Sequence, residues 1–160
     1  MILRYLPLLF CVLLASCSSG SGMQAEPEPM PVFMDDQAVF LAANTARQTV
    51  TVTETGLQYE VLTRGDGVRP TAQSNITVHY VGTLVDGTEF DSSVARGQPA
   101  TFKLGGTIAG WIEGLQLMNV GSTYRFVIPP ELAYGDSGAG SFIGPGDALI
   151  FVVELLEINS

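Results

Sequence analysis

The sequence is poor in the side chains that most often bind transition metals or form covalent cross-links. Its 160 residues include one histidine, His79, and two cysteines, Cys11 and Cys17. A closed zinc site takes four nitrogen or sulfur ligands, and a disulfide scaffold takes a dense set of paired cysteines. The composition therefore excludes both classes of protein, and the sequence predicts no metal and no other cofactor.

Basic residues are also scarce. Seven Lys and Arg stand against sixteen Asp and Glu, which gives a formal net charge of −9. A chain of this charge is repelled by phosphate backbones, so the composition excludes nucleic acid as a partner. The length suits about one domain with a tether rather than a multidomain protein.

Residues 1–16 predict a targeting segment. Arg4 is followed by an apolar run over 5–15, which is too short for the ~20 residues of a membrane-spanning helix. Small residues then precede a cysteine in Leu13-Leu14-Ala15-Ser16-Cys17, which resembles the lipobox of bacterial lipoprotein precursors. The resemblance implies cleavage after residue 16 and a lipidated Cys17 that anchors the chain in a membrane. The alternatives are an ordinary secretory signal that leaves Cys17 free, or a cysteine buried in a short helix.

Residues 17–34 change from Ser and Gly to alternating proline, which predicts a flexible tether. Their Glu-Pro-Glu-Pro-Met-Pro stretch could instead be a ligand for a proline-recognising groove.

A short N-terminal helix is predicted over 35–48. Asp35 and Asp36 stand at its start, where carboxylates favour the helix dipole, so we expect them to cap the helix rather than form an acid/base pair.

From residue 49 to 160 the pattern is mainly that of β-strands. Ile76, Val78 and Tyr80 alternate with Thr77 and His79, which places the apolar residues on one face. Similar alternation predicts strands near 50–52, 57–61, 102–104, 124–128 and 148–158. His79 is expected to be a sheet histidine with a satisfied hydrogen bond rather than a catalytic group.

One internal helix and one tight hairpin complete this prediction. Trp111, Leu115 and Met118 recur at helical spacing within 108–118, and Gly121 is expected to end that helix. Asp86-Gly87 favours a two-residue type I′ hairpin. Runs of strands with a single helix predict an α+β domain, with a mostly antiparallel sheet wrapped around the helix.

Several motifs in fixed order resemble the FKBP-type peptidyl-prolyl isomerases. They are residues 78–93, Gly110-Trp111-Ile112-Glu113-Gly114-Leu115, Ala133-Tyr134-Gly135 and residues 149–155, within a match over about 55–158. Gly56-Leu57-Gln58-Tyr59 is similar to the bacterial periplasmic and surface members related to macrophage infectivity potentiator. The resemblance implies an FKBP-like half-barrel of mostly antiparallel strands around one short helix, with an apolar pocket between helix and sheet.

The implied activity is cis–trans isomerisation of X-Pro bonds, which would accelerate the folding of exported proteins. Rotation about such a bond meets a barrier of about 18–20 kcal/mol and makes or breaks no covalent bond. A dry aromatic pocket would hold the twisted, less polar amide better than the planar one. The sequence accordingly lacks a nucleophile motif such as G-x-S-x-G. Alternatives are a chaperone or binding module with little turnover, and a surface adhesin.

The resemblance also implies a set of site residues. The catalytic pocket would comprise Tyr80, Phe90, Asp91, Ile108, Trp111, Tyr134 and Phe151, and Arg96, Phe102, Thr107 and Ile143 would add substrate contacts. Trp111 would form the floor, and Arg96 would orient Asp91. The Ile108 N–H and the Tyr134 hydroxyl would donate hydrogen bonds to substrate carbonyls. Taken singly, each aromatic residue could equally be plain core packing.

Departures from the family pattern concern the rim. Ala100 stands where an aromatic residue is frequent, Thr107 where valine is usual, and Gly144 replaces the first proline of an Ile-Pro-Pro turn. Macrolide inhibitors of the family are therefore expected to bind weakly. A phosphate loop over 138–144 is disfavoured because its glycine spacing fits no standard pattern, and calcium ligation by residues 86–91 is disfavoured because the EF-hand ligand order is missing.

The resemblance also bears on assembly and location. Relatives with long helical N-terminal regions dimerise through them, whereas only residues 35–47 are available here, so we expect a monomer. Ser18 is not the aspartate of an inner-membrane retention signal. We therefore expect a lipid-anchored protein of the bacterial cell envelope, on the outer membrane facing the periplasm.

Overall fold

The computed structural model describes residues 36–159, so the expected signal segment, Cys17 and the tether lie outside the described residues. The helices are α1 (Asp36–Thr45) and α2 (Ala109–Leu115), and the strands are β1 (Thr51–Val52), β2 (Gln58–Thr63), β3 (Asn75–Leu84), β4 (Glu89–Ser92), β5 (Ala100–Lys103), β6 (Thr123–Ile128) and β7 (Leu149–Asn159). Short 3₁₀ turns occupy Leu104–Gly106, Pro130–Leu132 and Gly135–Ser137. No helix among residues 36–159 is long and apolar enough to span a membrane.

All seven strands belong to one sheet with the order β1-β2-β6-β7-β3-β4, and β5 also pairs with β3. Every pairing is antiparallel. The long strands β3 and β7 lie side by side near the centre, with Tyr80 opposite Val153 and Gly82 opposite Phe151. The predicted α+β fold, an antiparallel sheet around one short internal helix, is confirmed.

The concave face of the sheet carries the core and packs against α2. Alternate residues of β3 and β7 are buried there, as the two-residue period requires. These strand residues and residues of α2 form one apolar cluster. It includes Ile76, Val78, Tyr80, Trp111, Leu115, Phe126, Ile128, Leu149, Phe151, Val153 and Leu155. This cluster fixes the sheet and α2 relative to each other.

Two glycines allow α2 to lie close to the sheet. A Cβ at Gly114 would stand 2.7 Å from the Phe126 ring, and one at Gly110 would stand 2.5 Å from the Ile128 side chain. Both distances are far below van der Waals contact, so any larger residue would push the helix outward. The close approach brings Trp111 down onto the concave face.

The internal helix is shorter than the sequence predicts. It ends at Leu115, because the N–H groups of Leu117 and Met118 bond to carbonyls three residues back rather than four. Gly121 does not end the helix. It has φ 87°, lies in the turn before β6, and donates its N–H to the Leu155 carbonyl at 2.8 Å.

The hairpin between β3 and β4 also differs from the prediction of a two-residue type I′ turn. The Gly87 N–H donates to the Leu84 carbonyl at 3.0 Å, so Val85 and Asp86 are the central residues of the turn. Gly87 follows them with φ 89°. The connection is thus a three-residue loop with a glycine in the left-handed region, which is the next commonest way of closing a hairpin.

Helix α1 packs on the convex face through polar side chains. Asn44 is almost fully buried and donates from Nδ2 to the Gln58 Oε1 at 2.7 Å, while its Oδ1 accepts from Arg125 at 3.0 Å. Arg47 forms an ion pair of 3.0 Å with Glu60 on β2. The N-terminal helix, which the sequence sets apart from residues 49–160, is therefore bonded to two strands of the sheet.

Candidate functional site

A cavity of about 670 Å³ opens between the concave face and α2. Its lining comprises Tyr80, Phe90, Asp91, Phe102, Gly106, Thr107, Ile108, Ala109, Trp111, Ala133, Tyr134, Ile143 and Phe151. All the pocket residues named from the sequence belong to this lining except Arg96, which bonds to two of its members. Gly106, Ala109 and Ala133 were not assigned to the site, because small apolar residues give no chemical signal in a sequence.

Trp111 lies at the centre of an aromatic cluster. Its ring meets the rings of Tyr80, Phe102 and Phe151 edge to face, with centroid distances of 5.3, 5.5 and 5.3 Å. Phe90 in turn packs edge to face on Phe151 at 5.4 Å. Edge-to-face pairs stabilise fixed relative orientations, so the floor and walls of the cavity support one another.

The Trp111 indole nitrogen is buried and has no hydrogen-bond partner among the residues that the structure describes. Trp111 itself is 4% exposed. A buried donor without an acceptor destabilises the fold, since it has left water without gaining a bond. The tryptophan at the floor of the cavity therefore carries a cost in folding stability that a purely apolar side chain would not have.

Gly82 is a site residue that the sequence analysis missed. It lies on β3 within the buried strand, and a Cβ there would stand 2.7 Å from the Phe90 ring and 2.8 Å from the Phe151 ring. The missing side chain thus makes the space in which these two walls of the cavity meet. A glycine in the interior of a predicted strand is itself a signal of close approach by another group.

Asp91 and Arg96 are bound to the hydroxyl of Tyr80. The Tyr80 hydroxyl and the Arg96 guanidinium each donate to one Asp91 carboxylate oxygen. Arg96 also donates to the Tyr80 hydroxyl oxygen at 3.0 Å, and its guanidinium carbon stands 5.7 Å from the centre of the Tyr80 ring. Three mutual bonds hold the Tyr80 ring in one orientation at the edge of the cavity.

These contacts separate the pKa values of the two acids. Burial opposes ionisation of Asp91, but the hydrogen bonds from Tyr80 and Arg96 outweigh it and lower the pKa of the carboxyl below its usual value. Burial and the bond to Asp91 raise the pKa of Tyr80, against the effect of Arg96. Asp91 is therefore an anion and Tyr80 a neutral phenol across the neutral range.

His79 lies next to Tyr80 but on the other face of β3. Its Nδ1 is 3.0 Å from the hydroxyl of Ser93, which also accepts the Tyr80 N–H at 2.8 Å. The expectation of a sheet histidine with a satisfied hydrogen bond is confirmed. His79 does not line the cavity.

A loop that we call the flap, residues 138–147, carries Ile143 over the cavity. Ala139 and Ile143 exchange two backbone hydrogen bonds of 2.8 and 3.2 Å, and the Gly144 N–H donates to the Asp147 carboxylate at 2.7 Å. Gly138 and Gly140 have φ of 62° and 59°. The glycines of this segment thus supply the positive φ angles that its hydrogen-bonded turn needs.

Two residues of the cavity lining each carry a donor that has no acceptor among residues 36–159. The Ile108 N–H precedes the first turn of α2 and donates to no backbone or side-chain group. The Tyr134 hydroxyl likewise makes no hydrogen bond, and this side chain is 42% exposed. A ligand carbonyl in the cavity could therefore accept from either without displacing a protein group.

Comparisons with known proteins agree with this architecture. A family model described as FKBP-type peptidyl-prolyl cis-trans isomerase matches residues 67–156. The chain is 53% identical over 119 residues to the FKBP-type 22 kDa peptidyl-prolyl cis-trans isomerase of Escherichia coli, with 74% of this chain and 58% of that protein covered. It is 44% identical over 120 residues to the outer membrane protein MIP of Legionella longbeachae, with 75% and 52% covered.

Solved structures show the same fold. The crystal structure of FkpA from Escherichia coli has a TM-score of 0.73 at 42% identity and covers 76% of this chain and 56% of its own. A peptidyl-prolyl cis-trans isomerase from Pseudomonas syringae has a TM-score of 0.73 at 39% identity, with 78% and 91% covered. The chain spans about half the length of the curated relatives it matches. On the family match and on these identities, the chain belongs to the FKBP-type peptidyl-prolyl cis-trans isomerases.

Proposed function

We propose that this chain isomerises X-Pro bonds in unfolded or exported proteins, by binding the prolyl residue in the cavity over Trp111. The observation that carries the proposal is the cluster of aromatic side chains in edge-to-face contact with Trp111, which lines an open cavity of about 670 Å³. A prolyl ring is apolar and compact, so it fits a floor of this kind. Family membership supports the same reaction.

Catalysis follows from differential binding of the twisted amide. Amide resonance is lost midway through the rotation, and the carbonyl becomes less polar than in the planar ground state. With a prolyl ring bound, the walls formed by Phe90 and Phe151 would exclude water from the amide, which would stabilise the less polar state relative to the planar one. The Ile108 N–H and the Tyr134 hydroxyl would hold the flanking carbonyls of the peptide, while Asp91 and Arg96 keep the Tyr80 ring in place.

The lining supplies no activated nucleophile, since its one aliphatic hydroxyl, that of Thr107, donates to the Leu104 carbonyl at 2.7 Å. Within the described part of the chain, the cavity contains no Ser, Cys, His or Lys side chain. Its one carboxylate, Asp91, is fully engaged by Tyr80 and Arg96. The proposed mechanism accordingly involves neither a nucleophile nor a proton transfer.

The direct test is the isomerisation rate of a short X-Pro peptide with the full chain. Uncatalysed isomerisation takes about 10–100 s, so an active protein at micromolar concentration should shorten it to about a second. Phe151→Leu should reduce kcat/KM strongly, while Val152→Ala, on the opposite face of the same strand, should leave it unchanged. No acceleration by the folded wild-type chain would refute the proposal.

A chaperone function that uses the same pocket with little turnover is the second candidate. One observation favours it: Phe142 is 60% exposed on the flap, beside Ile143. Exposed apolar side chains next to a binding cavity suit contact with unfolded chains. Suppression of aggregation that survives Phe151→Leu but is lost in Phe142→Ser would favour this function over isomerisation.

We further propose that the protein is anchored in the cell envelope through a lipidated Cys17, on the outer membrane facing the periplasm. The lipobox-like sequence supports this proposal, as does the relative named outer membrane protein MIP. Each buried CH₂ of an acyl chain contributes ~0.8 kcal/mol to such anchoring. Cys17→Ser should abolish incorporation of labelled fatty acid, and a labelled mutant would contradict the proposal.

Assembly and inhibitor binding are proposed on the same footing. Because α1 spans ten residues and bonds to its own sheet, we propose a monomer, which sedimentation at micromolar concentration would test. Gly144 and Ala100 leave the rim more open than proline and an aromatic residue would. Macrolide ligands should therefore bind more weakly than to family members with those residues, as titration calorimetry can measure.

A further inference from the structure

Helix α1 contacts the base of the flap as well as the convex face of the sheet. The Gln37 side-chain oxygen accepts the backbone N–H of Ala148 at 3.0 Å. Ala148 is fully buried and stands between the flap and the first residue of β7. One side chain of α1 thus bonds to the residue from which the flap leaves the sheet.

Short steps lead from this bond to the cavity. Asp147, the neighbour of Ala148, accepts the Gly144 N–H through its carboxylate at 2.7 Å. Gly144 follows Ile143, which is held to Ala139 by two backbone bonds and lines the cavity. The Gly146 N–H donates to the Gly135 carbonyl at 3.0 Å, next to Tyr134. Hydrogen bonds therefore connect the base of the flap to Ile143 and to the segment next to Tyr134, both of which line the cavity.

The Ala148 N–H depends on Gln37. It lies before the ladder of β7, so no neighbouring strand accepts it, and its burial keeps it from bulk water. A buried donor that loses its acceptor is costly, and the backbone shifts to relieve it. Such a shift begins one residue from Asp147, and misplacement of a binding wall by about 1 Å is enough to weaken substrate positioning.

We infer that Gln37 is a positioning residue for the peptide site, which acts by fixing the base of the flap and so the place of Ile143. This inference rests on the proposed function. It makes α1 part of the binding site's support, although no residue of α1 lines the cavity. Arg47, which lies two residues after the end of α1 and pairs with Glu60, has no such role.

The experiment compares three variants of the full chain. Gln37→Leu removes the acceptor, and Gln37→Glu retains one at the same position. Arg47→Gln breaks the ion pair with Glu60 in the segment that follows α1. The readouts are amide hydrogen exchange at Gly144 and Ala148, and kcat and KM for an X-Pro peptide. Trp111 is the sole tryptophan, so its fluorescence also reports peptide binding without turnover.

In Gln37→Leu we expect exchange at Ala148 and Gly144 to rise by about tenfold, while the amides of β3 and β7 stay protected. The KM should rise by about fivefold with little change in kcat, because the flap positions the peptide and does not touch the rotating bond. Gln37→Glu should restore both readouts, and Arg47→Gln should change neither.

Unchanged exchange at the flap, or a rise that is uniform across the sheet, would overturn the inference. The same would follow if Arg47→Gln reproduced the effects of Gln37→Leu. A wild-type chain without isomerase activity would refute the proposed function, while flap exchange and Trp111 fluorescence would still test whether Gln37 positions the peptide site.

Discussion

The two faces of the sheet hold their helices by different interactions, although the same strands form both. On the concave face α2 is held by apolar packing, by ring contacts around Trp111 and by glycines that admit close approach. On the convex face α1 is held by amide hydrogen bonds, and an ion pair holds the segment that follows it. The position of α2 on the concave face is thus determined by the shapes of the packed side chains, and the position of α1 on the convex face by hydrogen-bond geometry. Apart from Gln37, which bonds to the base of the flap, substitutions on the two sides should therefore separate activity from stability.

The largest effect should come from the floor of the cavity. Trp111→Ala removes a nearly fully buried ring that contacts three others, and it should lower the free energy of unfolding by about 3–5 kcal/mol. Isomerase activity should be lost under conditions where the variant is still folded. Urea denaturation and the peptide assay measure the two effects.

Trp111→Phe is the matched control for the floor. It keeps an aromatic ring and removes the unpaired indole N–H, so its stability cost should be much smaller than that of Trp111→Ala. A cost as large as that of the alanine variant would contradict this expectation.

The hydrogen bonds of Asn44 on the convex face should give a stability effect without an effect on activity. Asn44→Ala removes bonds to Gln58, Arg47 and Arg125, and it should cost about 1–3 kcal/mol because it leaves buried polar groups unpaired. The kcat/KM should stay within about twofold of the wild type, since Asn44 is remote from the cavity lining. A large loss of activity at full folding would break the separation of the two faces. Thr45→Ala, an exposed neighbour, is the control.

A smaller effect should follow from the polar group of the concave side. Tyr80→Phe keeps the ring and its packing but removes the hydroxyl that bonds Asp91 and Arg96, so stability should fall by about 1 kcal/mol. The kcat/KM should fall by about tenfold, as the ring loses its fixed orientation. Asp91→Asn should act in the same direction. If both variants keep full kcat/KM, the polar roles are wrong.

The smallest effect concerns pH. The pKa of Asp91 is lowered by folding, so its contribution to stability is complete above the unfolded value of about 3.9 and is lost as the pH falls through the lower folded value. Between about pH 6 and 8 the carboxylate stays ionised and no proton is transferred, so kcat/KM should be flat. A tenfold change in this range that disappears in His79→Gln would overturn the proton-free mechanism.

Features that depend on local pattern could be predicted from the sequence. The alternation around Ile76, Val78 and Tyr80 predicted β3 and its buried face, because successive side chains of a strand point to opposite faces of the sheet. The set of cavity residues came instead from the resemblance to a family, since no composition or spacing brings Tyr80, Trp111 and Phe151 together.

Features that depend on contacts between distant segments could not be predicted. The need for glycine at position 82 arises from rings at 90 and 151, and the packing of α1 arises from Asn44 meeting Gln58 and Arg125. The predicted turn type of the β3–β4 hairpin was wrong for a different reason. Asp86-Gly87 fits either loop length, and the register between β3 and β4, which is irregular at Gly82 and Thr83, decides between them.

The place of β7 has a consequence for the order in which the domain folds. It is the last of the seven strands in the chain, yet it lies between β6 and β3 near the centre of the sheet. The edges of β6 and β3 that face β7 have no partner until residues 149–159 are in place. The earlier strands must therefore wait with exposed edges and an open apolar face, and such edges favour aggregation. The sheet of this domain therefore cannot be completed before its last strand arrives.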